Sequence, residues 1–104
     1  MKLKDSGVKL IYYRGYILIR LKIIDTQWDI VKKLEEFNLK NKTKDWEITY
    51  VTPTYGGWDL LIECIFSSLS DLEKIISFCR LDKDLKSWIE TTTTLISVRD
   101  NFQT

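Results

Sequence analysis

The residues with the clearest chemical character cluster at one turn, in the run YVTPTYGGWDLLIECIF at positions 50–66. Pro53, Gly56 and Gly57 terminate strands and permit positive φ, so the run predicts a β-hairpin with its corner at the glycines. Asp59, just after the turn, could accept hydrogen bonds from a ligand ammonium group or from loop amides. The simpler interpretation is that its carboxylate caps the turn.

Two further features offer ligand contacts, and each has a structural alternative. Trp58 is either a platform for a ligand or part of the core or of an interface. Thr91–Thr94 form a run of β-branched residues that favours a strand. Thr92 and Thr94 would share one face of that strand and could offer hydroxyls to a small polar ligand, although a strand that binds nothing explains the run equally well.

Composition gives little support to catalysis or metal binding. The 104-residue chain has no histidine, the commonest general base and metal ligand. Its carboxylates show no known metal-site spacing, and no Gly-x-Gly-x-x-Gly or Walker sequence occurs. Ser67 and Ser68 have no base beside them in the sequence. We therefore expect no catalytic residue, no metal, no cofactor and no enzyme activity.

The net charge and the cysteines indicate which binding partners and which cellular compartment to expect. Sixteen Lys and Arg against fifteen Asp and Glu give a net charge of +1, without the dense positive field of nucleic-acid-binding proteins. Cys64 and Cys79 lie in apolar runs without Cys-x-x-Cys spacing, as buried thiols in a reducing compartment do. Arg14, Arg20 and Lys22 interrupt the first apolar run, so no signal peptide or membrane span is predicted. We expect a cytoplasmic protein that binds neither membrane nor nucleic acid directly.

Hydrophobic periodicity predicts the elements that position these residues. Period-2 and β-branched runs predict strands over Tyr16–Ile24, Trp46–Thr52, Trp58–Phe66 and Trp88–Arg99. Residues 8–13 are also β-prone, and Gly15 is either a bulge in one long strand or a hairpin corner. The segments 38–45 and 82–87 are polar and predict loops.

Two helices are predicted between these strands. The first is capped by Asp25 or Thr26 and ends near Asn38, with a core face of Ile30, Val31, Leu34 and Phe37. The second begins with a capping box formed by Ser70 and Glu73. Its apolar face repeats at helical spacing through Leu72, Ile75, Ile76 and Cys79.

The order strand, helix, strand, strand, helix, strand predicts an α+β protein with the ferredoxin-like βαββαβ fold, an antiparallel sheet covered by helices on one face. We expect one domain over residues 1–104, with 1–15 as an N-terminal extension or strand. The bare face is too apolar for water and too polar for a core, which favours burial in a twofold dimer. Arg20 and Glu63 would either pair in that interface or remain independent surface charges. The predicted occupants of this face are Leu18, Arg20, Leu61, Glu63 and Ile65.

The hairpin also resembles a known family. The run Gly56-Gly57-Trp58-Asp59-Leu60 is similar to the glycine, any residue, aromatic, aspartate, aliphatic signature of the effector-binding (RAM) domain of Lrp/AsnC transcription regulators. Ile89–Ile96 resembles the last strand of that domain, and Tyr16–Ile19 resembles its first. The resemblance covers residues 16–99.

The resemblance implies a dimeric α/β barrel, often assembled into tetramers or octamers, that binds small effectors, typically amino acids, at subunit interfaces near the hairpin. Carried over by motif, the ligand-binding residues are Gly56, Trp58, Asp59, Thr92 and Thr94. Members of the family also carry an N-terminal helix-turn-helix domain, for which the residues before the first strand are too few.

The function implied is an effector-binding and oligomerisation module without its own DNA-binding domain, either stand-alone or part of a longer protein, that associates with Lrp/AsnC regulators. Two alternatives stay open. One is a small dimeric α/β-barrel enzyme with chemistry in the cavity between sheet and helices, and the other is a purely structural assembly module.

Overall fold

The computed structural model describes residues 11–41, 45–98 and 102–103. The chain forms strands and helices in the order β1 (Ile11–Leu21), α1 (Gln27–Lys40), β2 (Trp46–Pro53), β3 (Leu60–Phe66), α2 (Leu69–Leu81), α3 (Lys83–Trp88), β4 (Ile89–Ile96) and β5 (Phe102–Gln103). The main sheet is antiparallel with the order β2-β3-β1-β4, and the two-residue β5 pairs with the start of β1. The ferredoxin-like α+β fold predicted from the sequence is confirmed.

The first strand runs from Ile11 to Leu21 with Gly15 inside it, so it both begins earlier and ends earlier than the predicted Tyr16–Ile24. The pairing of β1 with β3 runs without a register shift from Tyr13 opposite Phe66 to Ile19 opposite Leu60. Gly15 is therefore neither a bulge in this pairing nor a hairpin corner. A Cβ atom at this position would lie 3.0 Å from Cε1 of Phe66, so the glycine makes room for the phenyl ring.

The core lies between one face of the sheet and the helices, and periodicity identified it well. Alternate residues of each central strand point into it, as the pleat requires. The strands contribute Ile17, Ile19, Leu60, Ile62, Cys64 and Phe66, and the helices contribute Ile30, Val31, Leu34, Leu72, Ile75 and Cys79. Phe37 lies at the edge of this core, stacked on Phe78 with ring centroids 4.0 Å apart.

Helix α1 is anchored at both ends by contacts that its periodicity does not reveal. Thr26 is the N-cap, but its hydroxyl donates to the carbonyl of Ile23 rather than accepting from the helix. Asn38, predicted to end the helix, lies within it, and its side-chain amide forms both hydrogen bonds with the backbone of Ile48, at 2.9 and 3.2 Å. Ile48 begins an irregular pairing of β2 with β3, so Asn38 satisfies backbone groups there.

Two sequence predictions at the second helix are wrong in detail. The N-cap of α2 is Ser68, whose hydroxyl accepts from the backbone of Asp71, and not Ser70. The sequence contains two overlapping capping signatures, and the earlier one is used. The predicted polar loop at 82–87 contains helix α3 instead, because the Asp82 carboxylate accepts from the amides of Asp84 and Leu85 and so caps a helical turn.

Helix α3 is held against α1 by an ionic contact. The Lys33 ammonium lies 3.2 Å from a carboxylate oxygen of Asp82 and 3.0 Å from one of Asp84. Burial alone would raise the pKa of Asp82, but the amide of Leu85 and the Lys33 ammonium outweigh burial and hold that pKa below its usual value. Hydrogen bonds to Asp84 and Asp82 raise the pKa of Lys33. The contact therefore favours the charged form of both partners.

No helix in the described part of the chain has the length and hydropathy needed to cross a bilayer. The two cysteines are buried as free thiols, as predicted. Burial raises the pKa of each thiol to about 12. Both are therefore protonated at neutral pH and are poor nucleophiles.

The glycines give a matched stability test. Gly15→Ala should lower the free energy of unfolding by about 1–3 kcal/mol, because the added methyl collides with Phe66. Gly57→Ala should change it by less than about 0.5 kcal/mol, because the nearest heavy atom outside its immediate neighbours is 4.0 Å away, at the end of Arg20. Urea unfolding of both variants measures the difference, and equal stabilities would contradict the packing assigned to Gly15.

The contact between Lys33 and Asp82 predicts a pH dependence. Since the pKa of Asp82 in the folded protein lies below its ordinary value of 3.8, the carboxylate stabilises the fold above that pH and loses this contribution as the pH falls through the folded value. Lys33→Met should flatten the decline in unfolding free energy between about pH 5 and pH 2. Lys32→Met, at an exposed position one residue earlier, is the control. Parallel acid profiles for the Lys33 variant and the unmutated protein would show that the contact is not stabilising.

Candidate functional site

The hairpin turn is a six-residue connection, from Thr54 to Asp59, closed by its own hydrogen bonds. The amide of Thr54 donates to the carbonyl of Asp59 at 3.0 Å, and the Thr54 hydroxyl donates to the carbonyl of Trp58 at 2.7 Å. Gly56 has a φ of +111°, which explains the glycine at this position. The predicted third strand begins two residues late, at Leu60, because these contacts hold Trp58 and Asp59 in the turn.

Asp59 joins the turn to the end of β1. Its amide donates to the carbonyl of Ile19 at 2.8 Å, and its carboxylate Oδ2 accepts from the amide of Leu21 at 2.8 Å. The carboxylate thus continues the strand pairing by one residue with a charge-assisted hydrogen bond. The simpler interpretation from the sequence, a carboxylate that caps the turn, is therefore wrong in detail, because the carboxylate caps the end of β1 instead.

Arg20 clamps the same turn, and sequence analysis did not connect the two. Its Nε and Nη2 donate to the carbonyl of Gly57 at 3.1 and 2.8 Å, a bidentate contact between residues 37 positions apart. Its guanidinium carbon lies 4.8 Å from the centroid of the Trp58 ring, within the range of a cation–π interaction. Trp58 is therefore held by an internal cation.

The two predicted threonines lie elsewhere. Thr92 is paired with Ile19 and Thr94 with Ile17, so both belong to the face of the sheet that the helices cover. The structure brings Gly56, Trp58 and Asp59 together at the turn. It places Thr92 and Thr94 on strand β4, which is separated from β3 by β1.

We call the second face of the main sheet the open face. Its residues are Tyr16, Leu18 and Arg20 of β1, Glu47, Tyr50 and Thr52 of β2, Leu61, Glu63 and Ile65 of β3, and Thr91, Thr93 and Leu95 of β4. Tyr50 and Leu95 are 57% and 52% exposed, whereas Ile65 is 3% exposed. The described helices lie on the other side of the sheet and do not cover this face. The open face therefore presents large side chains of mixed polarity.

Within one chain, Arg20 and Glu63 do not contact each other. Glu63 accepts from the hydroxyl of Thr49 at 2.9 Å and lies 4.0 Å from the Arg14 guanidinium. Arg20 is occupied by the turn. The two residues therefore have separate partners within one chain. Among the described residues, no group of three histidine, cysteine, aspartate or glutamate side chains has a geometry that could hold a metal ion.

Comparisons with known proteins establish the fold. No family profile and no curated protein matches this chain. The crystal structure of FFRP-DM1 is 20% identical with a TM-score of 0.60, over 83% of this chain and 99% of that one. The crystal structure of hypothetical protein PHS023 from Pyrococcus horikoshii is 19% identical with a TM-score of 0.60, over 85% of this chain and 92% of that one. The chain therefore shares the fold of these two proteins along nearly their whole length.

Proposed function

We propose that this chain is an effector-binding and oligomerisation module of the Lrp/AsnC transcription-regulator type, and that it binds a small metabolite such as an amino acid. The observation that carries the proposal is the open face. It exposes large apolar side chains beside ionic groups on one side of a sheet whose other side packs against the helices. Such a surface is typical of a protein interface.

The fold neighbour adds independent support. The letters FFRP stand for feast/famine regulatory protein, the name of one of the two proteins that share this fold. The turn Gly56-Gly57-Trp58-Asp59-Leu60 resembles the RAM-domain signature, and here that turn is held rigid by Arg20 and by the backbone of β1. A rigid turn keeps its exposed amides in place before a ligand arrives, which lowers the entropic cost of binding.

The proposed mechanism is a shift among assembly states. A ligand held by the turn residues Gly56, Trp58 and Asp59, together with Thr92 and Thr94, stabilises whichever assembly forms the better site. In this mechanism two copies form the dimer through their open faces. Partner regulators of the same type then bind according to which assembly state is present. Oδ2 of Asp59 is occupied by Leu21, which leaves Oδ1 as the oxygen for a ligand.

Two observations favour binding over catalysis. The pKa of each thiol is about 12, which makes Cys64 and Cys79 unsuitable as nucleophiles. Arg20 and Glu63, the charged residues of the open face considered above, are engaged with different partners and do not converge on one site. A ligand-free assembly module remains the alternative outcome of the tests below.

Charge placed on the open face tests the dimer. Leu95→Glu should shift the protein to monomer in sedimentation equilibrium, because each copy would then bury an unpaired carboxylate in the interface. Leu81→Glu is the matched control, since Leu81 is also an exposed leucine, at 73%, but ends helix α2 away from the open face. A Leu95 variant that remains as dimeric as the unmutated protein would remove the open face from the interface.

A panel of amino acids in thermal unfolding tests effector binding, with protomer concentration held fixed because oligomers unfold at concentration-dependent temperatures. A selective rise in the midpoint is expected. A flat response across the panel would reject amino acids as effectors.

Two substitutions of Asp59 then separate its structural role from ligand binding. Asp59→Ala should cost about 1–3 kcal/mol of unfolding free energy, because the amide of Leu21 loses its acceptor. Asp59→Asn keeps an acceptor and should cost less, yet both variants should lose the response to the effector if the charge binds an ammonium group. An unchanged response in Asp59→Asn would show that the residue only shapes the turn.

A further inference from the structure

A second candidate site lies on the helix-covered side of strand β4. A cleft of about 300 Å³ opens between the end of α2, helix α3 and the start of β4. This volume falls at the lower limit of the range of about 300–1,000 Å³ that small-molecule sites occupy. The cleft is lined by Cys79, Arg80, Lys86, Ile89, Glu90, Thr91 and Thr92.

The charges around the cleft are complementary to one another but do not pair. Arg80 and Lys86 bring two cations to its rim and Glu90 brings one anion. Within the described part of the chain, none of the three forms an ion pair or a side-chain hydrogen bond. Both signs of charge are therefore available to a ligand that carries both.

The position of Glu90 follows from an irregularity in the sheet. Thr91 is paired with Arg20, and Ile89 is paired with the next residue of β1, Leu21, which leaves Glu90 as an extra residue without a partner. A β-bulge of this kind redirects a side chain, and bulges are frequent beside binding sites. The bulge and the cleft thus coincide at the same residue.

Helix-end electrostatics explains only part of this arrangement. Arg80 lies in the last turn of α2 and Lys86 in the last turn of α3, where cations complement the helix dipole. That effect does not account for Glu90, an anion in the same cleft. Cys79 lies in the wall of the cleft, and its thiol, with a pKa of about 12, is suited to packing rather than to reaction.

We propose that this cleft binds the head group of a small zwitterion of the α-amino acid type. Arg80 and Lys86 take its carboxylate, Glu90 takes its ammonium group, and the hydroxyl of Thr92 offers a further hydrogen bond. The assignment rests on the proposed effector function and adds a second amino-acid site within one protomer, separate from the one proposed at the turn. It also gives Thr92, predicted from the sequence, a specific contact.

The test uses L-leucine, L-glutamine and L-lysine as probes, followed by nuclear magnetic resonance of the backbone amides. At least one probe should shift the amides of Glu90, Thr91 and Thr92. For that probe, Arg80→Gln and Glu90→Gln should each weaken binding about tenfold or more, since each removes one charge-assisted contact. Lys32→Gln and Glu36→Gln, at exposed positions of α1, are the matched controls and should leave the affinity unchanged.

Analogues of the same probe test the zwitterion directly. The carboxamide, which lacks the anionic group, and the desamino acid, which lacks the ammonium group, should both bind about tenfold or more weakly than the amino acid. A desamino acid that binds as well as the amino acid would overturn the assignment in favour of a simple anion site. Binding that shifts residues 56–59 and is unaffected by Arg80→Gln and Glu90→Gln would overturn the cleft but preserve the proposed function. No binding of any probe would overturn the cleft, and the wider panel in thermal unfolding would then decide the proposed effector binding.

Discussion

The constraint on which the rest of the structure depends is that helices cover one face of the sheet and leave the other uncovered. Along β1, Ile17 and Ile19 enter a packed core, while the alternate residues Leu18 and Arg20 lie on the open face. Because side chains alternate strictly along a strand, a sheet with helices on one face must present every second residue elsewhere. The mixed polarity of those residues is what makes this domain a candidate for assembly.

The end of β1 is the junction where both candidate sites are built. Its backbone contacts Asp59 through Ile19 and Leu21. The backbone amide of the next residue, Lys22, donates to the carbonyl of Trp88 at 2.7 Å. Arg20, at the same end, holds the turn, and the β1–β4 bulge lies opposite. The hairpin turn and the cleft beside β4 thus lie on the two flanks of one strand end.

Local and periodic features of the fold could be predicted from the sequence, and contacts between distant residues could not. Strand alternation and helical spacing gave the element order, the core of α1 and α2, and the placement of Leu61 and Glu63 on the open face. The contact of Arg20 with Gly57 joins residues far apart in the chain and leaves no mark in local periodicity.

The boundaries of α2 and α3 were predicted wrongly because the local sequence signals at these helices are too short or too similar to decide between alternatives. Helix α3 is about one turn and a half long, too short to show a period, although Asp82, a residue type that commonly caps helices, was a usable start signal. Ser68 and Ser70 both fitted a capping box, and only packing of the helix decides between them. Of the candidate site, the turn residues were identified from their types, whereas Arg80, Lys86 and Glu90 meet only because α2, α3 and β4 converge.

The central claim is that two copies of this chain meet through their open faces. Mixing methyl-labelled protein with unlabelled protein and recording only the nuclear Overhauser effects between different chains tests it directly. The account predicts such effects at the methyl groups of Leu18, Leu61 and Leu95, on the open face. Effects confined to Leu39 and Leu81, which lie on the helices, or the absence of any between chains, would contradict it.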